Sequence, residues 1–227
     1  MAAAKGNTTN WFAIWISIAV VVVLVGLGGL VVFLNNMATA PGAAPKSDIV
    51  NEETGAISFG TGEEVVDTYV DFMCPACNAF EGQFGEQLQS AAADNEITLN
   101  IHPISILDRL SQNTNYSTRA ANAAYCVAED APDAFLDFFN LLYANQPAEN
   151  STGLTDDELA AFAEQAGSAG AADCIADGTF SDFVADRTPE TPPGPQGIST
   201  PTVTINGERL DLQAGGAAEL AKLLGIG

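Results

Sequence analysis

The fold of this chain is decided by residues 63–77, EEVVDTYVDFMCPAC, where an apolar run leads directly into two closely spaced cysteines. The run predicts a central β-strand over Glu64–Phe72. Beyond the cysteines, apolar residues recur at helical spacing and predict a helix over Asn78–Ala93. The order is therefore strand, CxxC, helix.

Cys74 lies at the start of this helical segment, where its sulfur faces unpaired backbone N–H groups and the positive end of the helix dipole. Both favour the thiolate, so we expect Cys74 to be a nucleophile. Pro75 suits the first helical turn, because its missing N–H costs nothing there. Cys77 follows one turn later, close enough to form a disulfide with Cys74 and to act as the resolving thiol.

The rest of the folded part divides into residues 48–112 with strand patterns, residues 113–188 with helical patterns and residues 189–227 with a hairpin and a closing helix. An Asn206-Gly207 turn between two β-rich runs predicts the hairpin. The other predicted strands are Ala56–Gly60 and Glu96–Ile104, and the predicted helices are Ser117–Glu129, Pro132–Asn145, Thr155–Gly167, shorter pieces within 171–185, and Gly216–Leu224. The pattern predicts an α/β fold with a helical insertion.

The amino-terminal part predicts a membrane anchor. Trp11–Leu34 contains 24 residues without a charge, whereas a cleaved signal peptide has an apolar core of only about 7 to 15 residues. Residues 38–40, Ala-Thr-Ala, resemble a cleavage site, but Pro41 makes the scissile bond a tertiary amide and disfavours cleavage. We expect residues 1–10 to be cytoplasmic and residues 35–47, rich in Ala, Pro and Gly, to be a linker.

The charge distribution excludes one class of partner. All 29 acidic residues lie from Asp48 onward with five of the seven basic ones, which gives this part a net charge of −24. We therefore expect no nucleic-acid partner and interpret the acidity as a solvated surface.

Cys126 and Cys174 fall in separate predicted helices of the insertion and suggest a structural disulfide. The alternatives are two buried thiols, or a zinc site formed by all four cysteines, although zinc sites usually have two close pairs. A disulfide places the domain outside the reducing cytosol. His102, the only histidine, precedes a proline at a strand end, and we expect it to be a strand residue.

Two separated motifs resemble one known family, the DsbA-like thiol-disulfide oxidoreductases of the thioredoxin superfamily. Residues 71–77, DFMCPAC, are similar to its catalytic segment, and residues 197–202, GISTPT, resemble its cis-proline loop. Residues 141–146, LLYANQ, are similar to part of its helical insertion. The resemblance is particularly to membrane-anchored actinobacterial forms.

The resemblance implies a thioredoxin fold with an inserted helical domain, and a cis peptide bond between Thr200 and Pro201 beside the thiols. It implies that Cys74 and Cys77 are catalytic, and that Thr200 and Pro201 bind substrate by presenting backbone groups to a polypeptide. The alternative is a trans proline that begins an ordinary strand. We expect no cofactor and no metal.

Ala76 stands where the best-known family member has histidine, so an imidazole contribution is absent, and we expect Cys74 to be less acidic than in that member. For Asp71 two alternatives remain open. Its carboxylate assists proton transfer from Cys77, or the alternation of side chains along the strand directs it to solvent, away from the thiols.

We therefore predict a single-pass protein of the cell membrane whose extracytoplasmic domain forms disulfides in exported polypeptides with free cysteines. The resemblance also implies a quinone-linked membrane partner that reoxidises the cysteine pair. One alternative is a reductase or isomerase kept reduced by a membrane partner. The other is a non-catalytic thioredoxin-fold module that binds peptide.

Overall fold

The computed structural model describes residues 10–38 and 42–225, which form two units. The first unit contains α1 (Trp11–Ala38), whose stretch Ile14–Val31 is long and apolar enough to cross a membrane by length and composition. This helix continues four residues beyond the anchor predicted from the sequence. Residues 1–9 and 39–41 lie outside the described residues. They include most of the segment expected to be cytoplasmic and most of the stretch that resembles a cleavage site.

The second unit is built on a five-stranded sheet with the order β1-β3-β2-β4-β5. The strands are β1 (Ile57–Phe59), β2 (Glu64–Val70), β3 (Ile97–Pro103), β4 (Thr202–Ile205) and β5 (Glu208–Arg209). β2 and β3 run parallel, and the other neighbouring pairs are antiparallel. The predicted Asn206-Gly207 turn is confirmed, because both residues have positive φ, at 52° and 81°, which a tight hairpin of this kind requires.

One helical segment, residues 75–93, connects the two parallel strands. It consists of α2 (Pro75–Phe80), a π-helical turn (Glu81–Gly85) and α3 (Glu86–Ala93). The segment begins three residues earlier than predicted, because Pro75 occupies the first helical position. Its apolar face is buried against the rest of the unit through Phe80, Phe84 and Leu88.

A helical insertion separates β3 from β4. It comprises α4 (Tyr116–Asp130), α5 (Phe135–Ala144), α6 (Asp156–Ala166), α7 (Ala172–Asp177) and α8 (Ser181–Arg187), and after the hairpin α9 (Gly216–Leu223) closes the chain. α5 packs its aromatic face against the segment before the CxxC motif: the Phe72 ring centroid lies 5.7 Å from that of Phe139 and 5.4 Å from that of Tyr143. The insertion therefore touches the residues that lead into Cys74.

Part of the predicted linker belongs to the second unit. The backbone N–H of Gly42 donates to Asp186, and that of Lys46 donates to Glu129. The Ser47 hydroxyl donates to the carbonyl oxygen of Ala128. Residues 42–47 are thus hydrogen-bonded to the helical insertion. The composition of this Ala/Pro/Gly-rich segment predicts a linker and does not indicate such contacts.

Strand register brings the two motifs together. β4 runs antiparallel to β2, and Tyr69 near the end of β2 lies opposite Thr202 at the start of β4. The residues that follow β2 and those that precede β4 therefore meet at the same end of the sheet. This places Cys74 beside Thr200 and Pro201.

Candidate active site

Cys74 and Cys77 are free thiols at the start of α2. Cys74 is the residue just before the helix, with extended backbone at φ −78° and ψ 114°, and Pro75 follows at the first helical position. The exposed fraction is 7% for Cys74 and 0% for Cys77. A thiol reagent thus reaches Cys74 first.

The pKa values of the two thiols are shifted in opposite directions. A hydrogen bond from the Cys77 thiol is the largest influence on Cys74 and, despite burial, lowers the pKa of Cys74 to about 6. Smaller contributions come from Thr200 and from the backbone N–H groups of Cys77 and Ala76. Burial, followed by the interaction with Cys74, raises the pKa of Cys77 well above its ordinary value. Cys74 is therefore the thiolate at neutral pH.

Alkylation of the reduced protein should reveal this difference. We expect the rate of reaction of Cys74 with iodoacetamide to rise with pH and to reach half of its plateau near pH 6, because only the thiolate reacts. Cys77 should stay unmodified over the same range. The measurement is alkylation rate against pH, with peptide mapping. If the alkylation rate of Cys74 instead reached half of its plateau at about pH 8.5, the pKa of a free thiol, the contacts described here would not lower the pKa of Cys74.

The bond between Thr200 and Pro201 is a cis peptide bond. The Thr200 carbonyl oxygen lies 3.4 Å from the Cys74 sulfur, where it accepts a hydrogen bond from the protonated thiol. Beside these residues lies a groove of about 420 Å³ between α2 and the β4–β5 hairpin. Its apolar lining includes Phe80, Phe84 and Leu212. A polypeptide whose cysteine reaches Cys74 would lie along this surface.

Asp71 is fully buried, which rules out one of the two alternatives left open by the sequence, that it points to solvent. One carboxylate oxygen accepts from the Met73 N–H at 2.9 Å and from the Ser117 hydroxyl at 2.7 Å. The other accepts from the N–H groups of Ile106 and Leu107, at 2.9 and 3.0 Å. Burial raises the pKa of Asp71, and these four hydrogen bonds oppose the rise. The carboxylate ties the active-site loop to the segment after β3 and to α4.

Cys126 and Cys174 are joined by a disulfide, with a sulfur–sulfur distance of 2.01 Å. It links α4 to α7 within the insertion. Since these sulfurs are bonded to each other, they do not form a four-cysteine zinc site with the CxxC pair. Within residues 10–38 and 42–225, no group of three or more His, Cys, Asp or Glu side chains is placed to hold a metal ion.

His102 lies in a polar network on the sheet. Its Nε2 is 3.1 Å from the Asp67 carboxylate, and its ring stacks on Tyr69 at a centroid distance of 4.1 Å. Asp67 also accepts hydrogen bonds from Asn100 and Thr204 on the two neighbouring strands. His102 is therefore a β3 residue, as the sequence predicted, and its contact with Asp67 joins β3 to β2.

Sequence reasoning missed Gln146, the last residue of the LLYANQ segment. Its Nε2 donates to the carbonyl oxygens of Phe72 and Cys74, at 3.1 and 2.9 Å. In the sequence, this segment is marked only by its similarity to the helical insertion of DsbA-like proteins. That similarity does not indicate that Gln146 contacts the CxxC loop.

The strand, CxxC helix, strand and cis-proline hairpin match a family model described as Thioredoxin (Thioredoxin_4) over residues 61–224. This chain belongs to the thioredoxin family. Among solved structures, this thioredoxin-family chain is similar to reduced DsbA from Mycobacterium tuberculosis, with 30% identity and a TM-score of 0.63 over 75% of this chain and 92% of that chain. It is also similar to the reduced disulfide bond oxidoreductase DsbG of the same organism, with 30% identity and a TM-score of 0.64 over 75% and 88%. The predicted fold class and the resemblance to DsbA-like proteins are confirmed.

One curated relative is a larger protein. The serine/threonine-protein kinase PknE of Mycobacterium tuberculosis is 32% identical over 137 residues, which is 57% of this chain. The chain spans only 24% of the length of that kinase. Kinase activity is therefore not attributed to this chain.

Proposed function

We propose that this protein is a membrane-anchored, extracytoplasmic thiol-disulfide oxidoreductase that forms disulfides in exported polypeptides with free cysteines. The observation that carries the proposal is the Cys74 thiol of lowered pKa at the start of α2, beside the cis Thr200-Pro201 bond. The similarity to DsbA and DsbG supports exchange chemistry, and the apolar helix α1 supports anchoring.

The first step is attack of a client thiolate on the Cys74 sulfur of the oxidised Cys74–Cys77 disulfide. A client–Cys74 disulfide forms, the Cys74–Cys77 bond breaks, and its electron pair remains on the Cys77 sulfur. Because burial raises the pKa of Cys77, this sulfur takes up a proton. The backbone at Thr200 and Pro201 holds the client as an added strand would.

The second step releases the product. A second client thiolate attacks the client sulfur of the mixed disulfide, and Cys74 leaves as a thiolate, which its lowered pKa favours. The client has then lost two electrons and two protons. The protein holds the two electrons as the reduced pair and one proton on Cys77, and the other proton goes to the solvent, because Cys74 stays a thiolate at neutral pH.

The reduction potential tests the direction of exchange. Stabilising the Cys74 thiolate favours the reduced protein and makes the oxidised form a stronger oxidant. Because a pKa of about 6 lies below the value of about 7 for thioredoxin and above the value of about 3.5 for DsbA, equilibration with glutathione should give a potential between about −270 mV, that of thioredoxin, and about −120 mV, that of DsbA. A potential near that of thioredoxin would instead support a reductase or isomerase that a membrane partner keeps reduced.

The position of the domain has its own test. After mild reduction of intact cells, a membrane-impermeant maleimide should label Cys74, because the domain is proposed to lie outside the membrane. Labelling that requires lysis would contradict the extracytoplasmic location.

A new cycle requires an acceptor for the two electrons held by the reduced pair. We assign this role to a quinone-linked membrane protein, since α1 would keep the domain near the bilayer. Reoxidation by isolated membranes that stops when quinone is extracted supports this assignment, and reoxidation that does not depend on membranes opposes it. The remaining alternative, a non-catalytic peptide-binding module, requires a Cys74→Ala, Cys77→Ala variant to restore function to a deletion strain.

A further inference from the structure

The loop that carries Cys74 is held from two sides. Asp71 bonds it to the segment after β3 and to α4, whereas Gln146 bonds it to the end of α5. The Gln146 amide, half-buried in the insertion, reaches the loop from a position 72 residues further along the chain. It donates to two carbonyl groups, those of Phe72 and Cys74, which flank Met73.

The orientation of this amide is fixed by Asn78 in α2. Asn78 Nδ2 donates to Gln146 Oε1 at 3.1 Å and to the Tyr143 carbonyl oxygen at 3.2 Å. With Oε1 occupied by that donor, the Nε2 end of Gln146 faces the two loop carbonyls. One side-chain pair thus connects the insertion, the active-site helix and the loop between them.

The Cys74 carbonyl is also the first acceptor of the helix. It receives the backbone N–H groups of Cys77 and Asn78, at 3.1 and 3.2 Å. Its direction determines how the first helical turn is set relative to the Cys74 sulfur. The backbone N–H groups of Ala76 and Cys77 in that turn help to lower the pKa of Cys74. A third donor on this carbonyl limits rotation of the peptide unit between Cys74 and Pro75.

We propose that Gln146 is a positioning residue through which the helical insertion holds the Cys74 peptide unit in the orientation that exposes its sulfur to the N–H groups of the first turn. The inference rests on the proposed function, because it concerns the same exchange reaction. It assigns the insertion a part in the reactivity of Cys74, in addition to covering the sheet.

A second amide pair provides a matched control. Gln89 in α3 and Asn140 in α5 exchange two side-chain hydrogen bonds, each 3.0 Å long. This pair joins the same two parts of the fold as Gln146 does, but Gln89 lies about three turns beyond Cys77 on the helical segment. Its side-chain hydrogen bonds go to Asn140 and not to either cysteine. Replacing Gln89 by alanine removes a link of similar chemistry without touching the Cys74 loop.

The test measures the pKa of Cys74 in reduced full-length protein by thiolate absorbance, for wild type, Gln146→Met and Gln89→Ala. Methionine keeps the length of the side chain and removes both donors. We expect Gln146→Met to raise the pKa of Cys74 by about half a unit to one unit, the size of one lost hydrogen bond. Gln89→Ala should leave this pKa unchanged, while urea unfolding reports the stability of each variant.

A Cys74 pKa in folded Gln146→Met equal to that of wild type overturns the inference. If Gln146→Met does not fold, Asn78→Ala replaces it, because loss of the orienting donor should shift the pKa in the same direction. An unchanged pKa in that variant also overturns the inference. The proposed function fails separately, if wild-type protein shows no exchange with a client whatever the pKa.

Discussion

Replacing Cys74 by serine is expected to reduce the rate of disulfide exchange with a client peptide to the uncatalysed background. The hydroxyl cannot form the mixed disulfide through which each step passes. No other thiol is placed to take over, because Cys77 is fully buried with a raised pKa and Cys126 is bonded to Cys174. The measurement is the initial rate of oxidation of a reduced two-cysteine peptide by the oxidised wild-type protein and by the variant.

Cys77→Ser is the matched control for this change. It keeps the accessible thiol and removes only the resolving one, so a reaction with a disulfide-bonded peptide should stop at a stable mixed disulfide. Wild-type rates in Cys74→Ser, or equal trapping by both variants, would show that the roles of the two cysteines have been assigned wrongly.

Replacing Asp71 by alanine is expected to lower the free energy of unfolding by about 4 kcal/mol, an effect near the upper end for single substitutions. The change leaves three backbone N–H groups, of Met73, Ile106 and Leu107, without their acceptor in a fully buried site. Each unsatisfied group costs about 1 to 3 kcal/mol, and local rearrangement recovers part of the sum. Urea unfolding followed by circular dichroism measures the loss.

Asp71→Asn distinguishes the loss of stability caused by the missing side-chain volume from the loss caused by the missing hydrogen-bond acceptors. Asparagine fits the same space but offers one acceptor oxygen, so the expected loss is intermediate between wild type and Asp71→Ala. A loss below about 1 kcal/mol in Asp71→Ala would contradict the view that this carboxylate holds the loop.

The elements specified by local patterns could be predicted from the sequence. β2, the hairpin at Asn206-Gly207 and the helix predicted to begin at Thr155 depend on neighbours within a few residues, and the structure contains all three. The start of the CxxC helix was placed within three residues, because Pro75 marks the first turn.

Contacts between distant segments could not be predicted in this way. The orientation of Asp71 depends on donors 35 to 46 residues away, and that of Gln146 depends on carbonyls more than 70 residues away. The strand pattern allowed the Asp71 side chain to point either to solvent or into the protein. The hydrogen-bond donors in the segment after β3 and in α4 determine that it points inward. The cysteines were found from the sequence, whereas the residues that hold them were not.

The identity of the sulfur that accepts the client tests the account most directly. Oxidised wild-type protein is mixed with a single-cysteine peptide, the reaction is quenched in acid, and tandem mass spectrometry locates the peptide. The account predicts the mixed disulfide on Cys74, which is the more exposed sulfur and the one with the lowered pKa. A peptide found mainly on Cys77, or shared equally between the two cysteines, would contradict it.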